Sequence, residues 1–96
     1  PGISFLEGNT KDRIHGAWIA TVLVEDRFKL QLKLREYKIE ANQVHFRNDR
    51  YSIFKEFKTH LPVMDELEEK YLVLPLHMKI TEADVEKICN VIKSGW

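Results

Sequence analysis

Between Val44 and His60 the sequence reads VHFRNDRYSIFKEFKTH, and it gathers side chains suited to holding a polar or anionic ligand: His45, Arg47, Asn48, Arg50, Tyr51, Lys55 and Lys58. Arg47, Arg50, Lys55 and Lys58 outnumber Asp49 and Glu56 by two. A guanidinium presents its donors in a planar fork that matches carboxylate and phosphate oxygens, so Arg47 and Arg50 can grip such a group in bidentate fashion. Donors clustered just past a strand end are a common way to build a binding site, because a loop on rigid elements carries function. A structural turn uses the same residues equally well, with Asp49 paired to an arginine and Phe54 and Phe57 turned into the core. Both readings stand at this level.

Other chemistries are poorly served. His15, His45, His60 and His77 lack the close i, i+3 or i, i+4 spacing of metal-ligand pairs, and Cys89 has no second cysteine, so no zinc site is expected. Cys89 falls on the apolar stripe of a helix, where a buried, inert thiol is expected rather than a nucleophile. Neither a glycine-rich phosphate loop nor a GxSxG nucleophile turn occurs. None of the ten lysines stands in an apolar window that would prepare it for Schiff-base work. Phe46 alone is weak support for stacking an RNA base, since the run of basic residue, glycine and interleaved aromatics is missing.

The elements that must position these groups read as a small α+β domain. Residues 1–16 are punctuated by Gly2, Gly8, Asn9 and Gly16 and are expected to be an irregular lead-in, with Ile3, Phe5 and Leu6 docking elsewhere. AWIATVLV, residues 17–24, reads as a strand buried on both faces. Asp26 is placed to N-cap the next segment with its carboxylate. In RFKLQLKLREYK, residues 27–38, Phe28, Leu30, Leu32 and Leu34 alternate as in a strand, yet the residues are strong helix formers and the apolar ones also pair at i, i+4. A helix is expected, ending near Lys38 under mild strain because no glycine is available for the left-handed cap.

IEANQVHF, residues 39–46, reads as a second strand, RNDR as a polar turn, and YSIFKEFK as a short helix with Tyr51, Phe54 and Phe57 on one side. Pro62 suits the first turn of a helix carrying Met64, Leu67 and Tyr71, with Asp65, Glu66, Glu68 and Glu69 facing water. Leu72–Leu76 is apolar and extended because Pro75 blocks a helix. Thr81 and Asp84 form a capping box for a last helix whose stripe is Val85, Ile88, Cys89 and Ile92, stopped by Gly95.

Length and charge bound the rest. Ninety-six residues make one domain, able to bury somewhat over ~60% of its unfolded surface. Fifteen basic residues balance fifteen acidic ones, which argues against a general nucleic-acid or anionic-membrane binder. The longest apolar run, Ala17–Val24, is far short of the ~20 residues of a membrane span. A single cysteine fits a reducing compartment, so the cytoplasm is the expected location. The chain opens Pro1-Gly2 with no initiator Met and closes on Lys93-Ser94-Gly95-Trp96, a helix end and stop, so a C-terminal fragment is expected.

Three phrases carry a resemblance: Val44-His45-Phe46-Arg47-Asn48-Asp49-Arg50-Tyr51, then Leu74-Pro75-Leu76-His77, then Thr81-Glu82-Ala83-Asp84-Val85 with Ile88 and Ile92. In this order and spacing the chain, from about Ala17 to Trp96, resembles the C-terminal end of the DegT/StrS-type sugar aminotransferases. The resemblance implies the small α+β domain of an aspartate-aminotransferase fold, residues 17–96, with a short, mostly antiparallel sheet covered by helices. It implies an enzyme that moves an amino group from glutamate onto a nucleotide-linked keto sugar. Pyridoxal phosphate would be held by a lysine of a large N-terminal domain missing here, so the 96 residues alone are expected to be inactive.

A homodimer, a nucleotide-sugar substrate and the N-terminal cofactor domain are the implied partners; no nucleic acid or membrane is. His45 maps onto the family histidine near the substrate. Arg47, Asn48, Arg50 and Tyr51 would shape the adjoining loop and meet a nucleotide phosphate. Lys38 stands where members often carry glycine. The alternative is a free-standing α+β ligand-binding or interaction module without catalysis.

Overall fold

The computed structural model describes residues 2–6 and 8–96. Its centre is a three-stranded antiparallel sheet in the order β1 (Ile3–Phe5), β2 (Ala20–Val24), β3 (Tyr71–Leu74). Register places Ile3 opposite Val24 and Val22 opposite Leu72. Side chains alternate between the faces of a strand, so Val22, Val24, Leu72 and Leu74 point to one face. There they meet Leu30 and Leu34 of α1 (Arg27–Glu36) and Val91 of α3 (Glu82–Lys93), with Ile39 and Ala41 completing the core. The opposite face carries Thr21 and Tyr71, also buried. Burial on both faces of β2 agrees with its continuous apolar run.

The lead-in is not wholly irregular, since β1 pairs along β2 and Glu25 donates from its backbone N–H to the Gly2 carbonyl at 2.8 Å. The strand expected over residues 17–24 starts only at Ala20, and Trp18 lies exposed before it.

The alternating leucines of α1 resolve as helix geometry dictates. Two residues advance a helix by about 200°, so Leu30 and Leu34 share one face and Phe28 and Leu32 the other. The first pair is fully buried and the second is exposed. Asp26 occupies the N-cap position but makes no side-chain cap; its carboxylate instead takes Lys29 Nζ at 3.2 Å. With φ 53° the residue sits in the left-handed region. At the other end, Lys38 adopts φ 59°, the strained cap expected from the absence of glycine. Ile39 N–H donates to Leu34 O and Lys38 N–H to Arg35 O, both at 2.9 Å, closing a Schellman motif whose apolar partners, Leu34 and Ile39, are both buried.

Residues 39–46 do not form a strand. One bridge joins Asn42 to Val73, through hydrogen bonds of 3.2 and 2.8 Å. The free edge of β3 is four residues long and runs into Pro75, so it offers little ladder. Beyond Asn42 the segment is held by side chains: Gln43 Nε2 donates to Glu68 O at 3.0 Å and the Tyr71 hydroxyl to His45 O at 2.6 Å.

RNDR becomes a 3₁₀ turn, Asn48–Arg50, and a second 3₁₀ helix spans Ser52–Phe57. Tyr51, Phe54 and Phe57 are all exposed rather than turned into the core. Pro62 opens α2 (Pro62–Leu67), which is too short to include Tyr71; that residue belongs to β3. The capping box of α3 is present, with Asp84 N–H donating to Thr81 Oγ1 at 3.2 Å and Thr81 N–H to Asp84 Oδ2 at 2.9 Å. Its inward line is Ile88, Val91 and Ile92 with Trp96, while Val85 and Cys89 are exposed, so the thiol is not the buried one expected. Lys33 of α1 donates to Ser94 Oγ at 2.6 Å and to Gly95 O, placing a cation at the carboxyl end of α3 where the helix dipole favours it.

Leu34→Ala, which empties the centre of the core, should cost about 2–5 kcal/mol in urea denaturation. Lys38→Gly should do the reverse, adding about 0.5–1 kcal/mol by removing a side chain from a left-handed position. A loss on Lys38→Gly would mean that the lysine side chain, and not its backbone, is what matters there.

Candidate functional site

Arg47 is the anchor of the segment singled out in the sequence. Its side chain is only 3% exposed. Nε and Nη2 donate to the two carboxylate oxygens of Asp49 at 2.8 and 2.7 Å, and Nη1 donates to Asp65 Oδ1 at 2.6 Å and Glu68 Oε2 at 3.0 Å. Arg50 adds a 2.7 Å bond from Nη2 to the same Glu68 oxygen. Asp65 and Glu68 therefore do not simply face water: they bring α2 and the turn after it onto the Asn48–Arg50 turn. No buried side-chain polar atom among the described residues lacks a partner. The hydrogen bonds from Arg47 hold the Asp49 carboxyl below its ordinary range, and those from Arg50 and then Arg47 do the same for Glu68. The Asp49 and Asp65 carboxylates raise the guanidinium of Arg47 in turn.

His45, two residues earlier, is exposed, with its ring centroid 5.6 Å from that of Trp18 at an interplanar angle of 36°. Phe46 meets Tyr51 edge-on at 5.3 Å. His45 and Phe46 border an open groove of about 600 Å³ on the sheet face away from α1 and α3. Apolar walls come from Leu6, Ile19, Val44, Leu61 and Met64, and the polar edge from His45, Asn48 and Asp49. Such a mix of apolar lining and a few polar groups suits a small polar ligand.

The sequence-identified residues are thus divided. His45, Arg47 and Asn48 line the groove. Arg50 borders a second cleft of about 400 Å³ with Lys58 and His60, and Tyr51 reaches the groove only through Phe46. Arg47's donors are directed at carboxylates, as the structural reading of the turn anticipated for Asp49. Trp18, Asp65, Glu68 and Tyr71 were not legible as site residues. By pattern alone Trp18 reads as part of a strand, the two acids as solvated, and Tyr71 as helical.

Among the described residues no three His, Cys, Asp or Glu side chains are grouped to hold a metal ion, and no helix is long and apolar enough to cross a membrane.

Comparison with known proteins places this geometry in context. The model of the DegT/DnrJ/EryC1/StrS aminotransferase family matches residues 1–93. Among solved structures the chain is similar to AtS13 from Actinomadura melliaura, at 32% identity and a TM-score of 0.92, covering 100% of this chain and 26% of that one. It is similar to the sugar aminotransferase CalS13 from Micromonospora echinospora at 29% identity and TM-score 0.91, covering 99% and 26%. Likeness to the putative sugar aminotransferase Spr1654 from Streptococcus pneumoniae, in its PMP form, is in fold alone: 20% identity, TM-score 0.83, covering 96% and 25%. No curated protein sequence matches. The chain spans about a quarter of the length of the solved structures it matches.

The ion cluster sets an acid limit on stability. Asp49 and Glu68 have folded values below their unfolded ones, so their contribution is complete above the unfolded carboxylate range, about pH 4–5, and is lost as pH falls through the lowered folded values. Tm should therefore hold from neutral pH down to that range and fall below it. Arg47→Met should lower Tm at neutral pH and flatten the acid slope, since the three carboxylates then repel one another. Parallel Tm–pH curves for the two proteins would contradict the cluster's role.

Proposed function

The chain belongs to the DegT/DnrJ/EryC1/StrS aminotransferase family, and from that premise we propose that it is the small C-terminal domain of an enzyme that moves an amino group from glutamate to a nucleotide-linked keto sugar, with the groove beside His45 forming one wall of the substrate pocket. The observation that carries this reading is the match to the sugar aminotransferase CalS13, and to AtS13, over essentially the whole chain at TM-scores above 0.9, though it spans only 26% of each.

The surface supports the same reading. Ile53, Phe57 and Val63 are each more than two-thirds exposed, Phe28 on the outer face of α1 is 66% exposed, and Leu32 beside it is exposed too. A helix apolar on two faces normally has partners on both. The radius of gyration is 15.3 Å, against about 12.5 Å for a compact domain of this length. A domain that rests on the remainder of a larger polypeptide accounts for both.

Pyridoxal phosphate is the cofactor the family implies, and this chain's lysines do not fit it. None is buried. The two that are partly so, Lys33 and Lys70, donate to Ser94 and Gly95 and to Glu66 respectively. On the proposed reading the anchoring lysine lies in the N-terminal domain, and these 96 residues alone bind no cofactor and catalyse nothing. Their contribution is the pocket wall: His45 contacts the sugar, Asn48 shapes the adjoining turn, Arg47 holds that turn in place, and Arg50 and Tyr51 stand beside it, within reach of a nucleotide phosphate. A homodimer of the complete enzyme, in the cytoplasm, is part of the same proposal.

In the complete polypeptide, His45→Ala should lower kcat/KM for the keto sugar by about tenfold while leaving KM for glutamate unchanged, as expected for a lost hydrogen bond to substrate. An unchanged sugar kcat/KM would remove His45 from the site. Mixing the isolated chain with pyridoxal phosphate and glutamate should give neither a protein-bound chromophore nor amino transfer.

A further inference from the structure

We propose that Trp18 and Tyr71 are positioning residues for His45, fixing its main chain and its ring so that its nitrogen-bearing edge faces the groove. The inference rests on the reading of His45 as a pocket residue and goes further, because it says what holds that residue in place.

The need for such a device follows from the local backbone. His45 is exposed and lies in a segment with no ladder beyond Asn42, so nothing in regular secondary structure orients it. A loop side chain of this kind ordinarily samples several rotamers, and each must be frozen out when ligand binds. Two contacts remove that freedom. Tyr71 is 7% exposed, and its backbone is paired with Leu23 inside the sheet. A buried tyrosine needs a partner for its hydroxyl. Here the hydroxyl donates to the carbonyl oxygen of His45 itself at 2.6 Å, tying the loop backbone to a rigid strand. Trp18 enters from the segment before β2, and its ring lies against the imidazole at 5.6 Å and 36°, within the range of favourable aromatic pairs. With the indole alongside the ring, the imidazole nitrogens remain for a sugar hydroxyl or a phosphate oxygen. Two residues on, the buried Arg47 side chain pins the other end of the segment. His45 is thereby held by contacts from two separate parts of the chain, with Arg47 anchoring the residues after it, and a binding group held in this way loses little freedom on engaging its ligand.

The test uses the complete polypeptide, with uridine- and thymidine-diphosphate-linked 4-keto hexoses as acceptors and glutamate as donor. Tyr71→Phe deletes one hydroxyl and keeps the buried ring. It should raise KM for the keto sugar about 3- to 10-fold, with kcat within about twofold and KM for glutamate unchanged. Trp18→Leu should behave likewise, and Trp18→Phe, which keeps an aromatic face, should restore most of the loss. In protein labelled at histidine, the His45 ring resonance should move on Trp18→Leu, as the indole ring current is removed, and broaden on Tyr71→Phe. His45→Ala serves as the control. If it impairs use of the sugar while Tyr71→Phe and Trp18→Leu do not, the positioning proposal is overturned and the pocket reading stands. If His45→Ala is silent, the pocket reading fails, and the resonances decide whether the two side chains fix the ring: unchanged line width and shift in both variants overturn that as well. Equal rises in KM for sugar and glutamate indicate general loosening of the fold and overturn the proposal too.

Discussion

Taking the guanidinium of Arg47 out of water is the constraint on which the site side of this domain is arranged. An arginine cannot shed its charge, and an uncompensated buried charge is strongly destabilising. Asp49, two residues on, supplies a bidentate partner locally, but its two oxygens leave Nη1 unmatched. The remaining partners come from α2 and the turn after it, at Asp65 and Glu68. Satisfying one side chain thus draws together a 3₁₀ turn, a short helix and the approach to β3. Glu68 also binds Arg50 through its carboxylate and Gln43 through its backbone oxygen, so the same region fixes both flanks of the segment that carries His45.

The sheet separates this polar construction from the apolar one. On one face Val22, Val24, Leu72 and Leu74 pack with Leu30, Leu34 and Val91 in an ordinary closed core. On the other, Thr21 and Tyr71 lie beneath an open groove rather than beneath a helix. A three-stranded sheet with one wholly covered face can be stable, which leaves the second face available for binding. The apolar residues left exposed, among them Phe28, Ile53, Phe57 and Val63, extend this asymmetry. The domain closes its own core and leaves further apolar surface exposed.

Much of the fold was legible before any coordinates. The β2 run, the helix over residues 27–36, the proline start of α2 and the Thr81–Asp84 capping box each rest on local rules, and each is found. So is the left-handed Lys38, which follows from a helix that must turn without a glycine. Failures cluster where local preference is weak and distant partners decide. Residues 39–46 have strand-like composition but lack an edge long enough to pair with. Asp26 stands at a helix start, but its carboxylate finds Lys29 in place of the backbone. Cys89 lies on an apolar stripe whose buried line is rotated toward Val91 and Trp96, because α3 must meet both α1 and the sheet.

By itself, then, the order of residues determined the class of fold, the starts of its α-helices and the stretch from Val44 to Tyr51 as the place where polar donors gather, because periodicity and capping are properties of neighbours along the chain. Only the tertiary structure decided what those donors do. Whether Arg47 faces a ligand or three carboxylates, and whether His45 is loose or held by Trp18 and Tyr71, depends on groups 18 to 27 residues away, whose approach no local pattern encodes. Burial of charge and of a tyrosine hydroxyl must be satisfied in three dimensions, and the partners that satisfy it are chosen by packing.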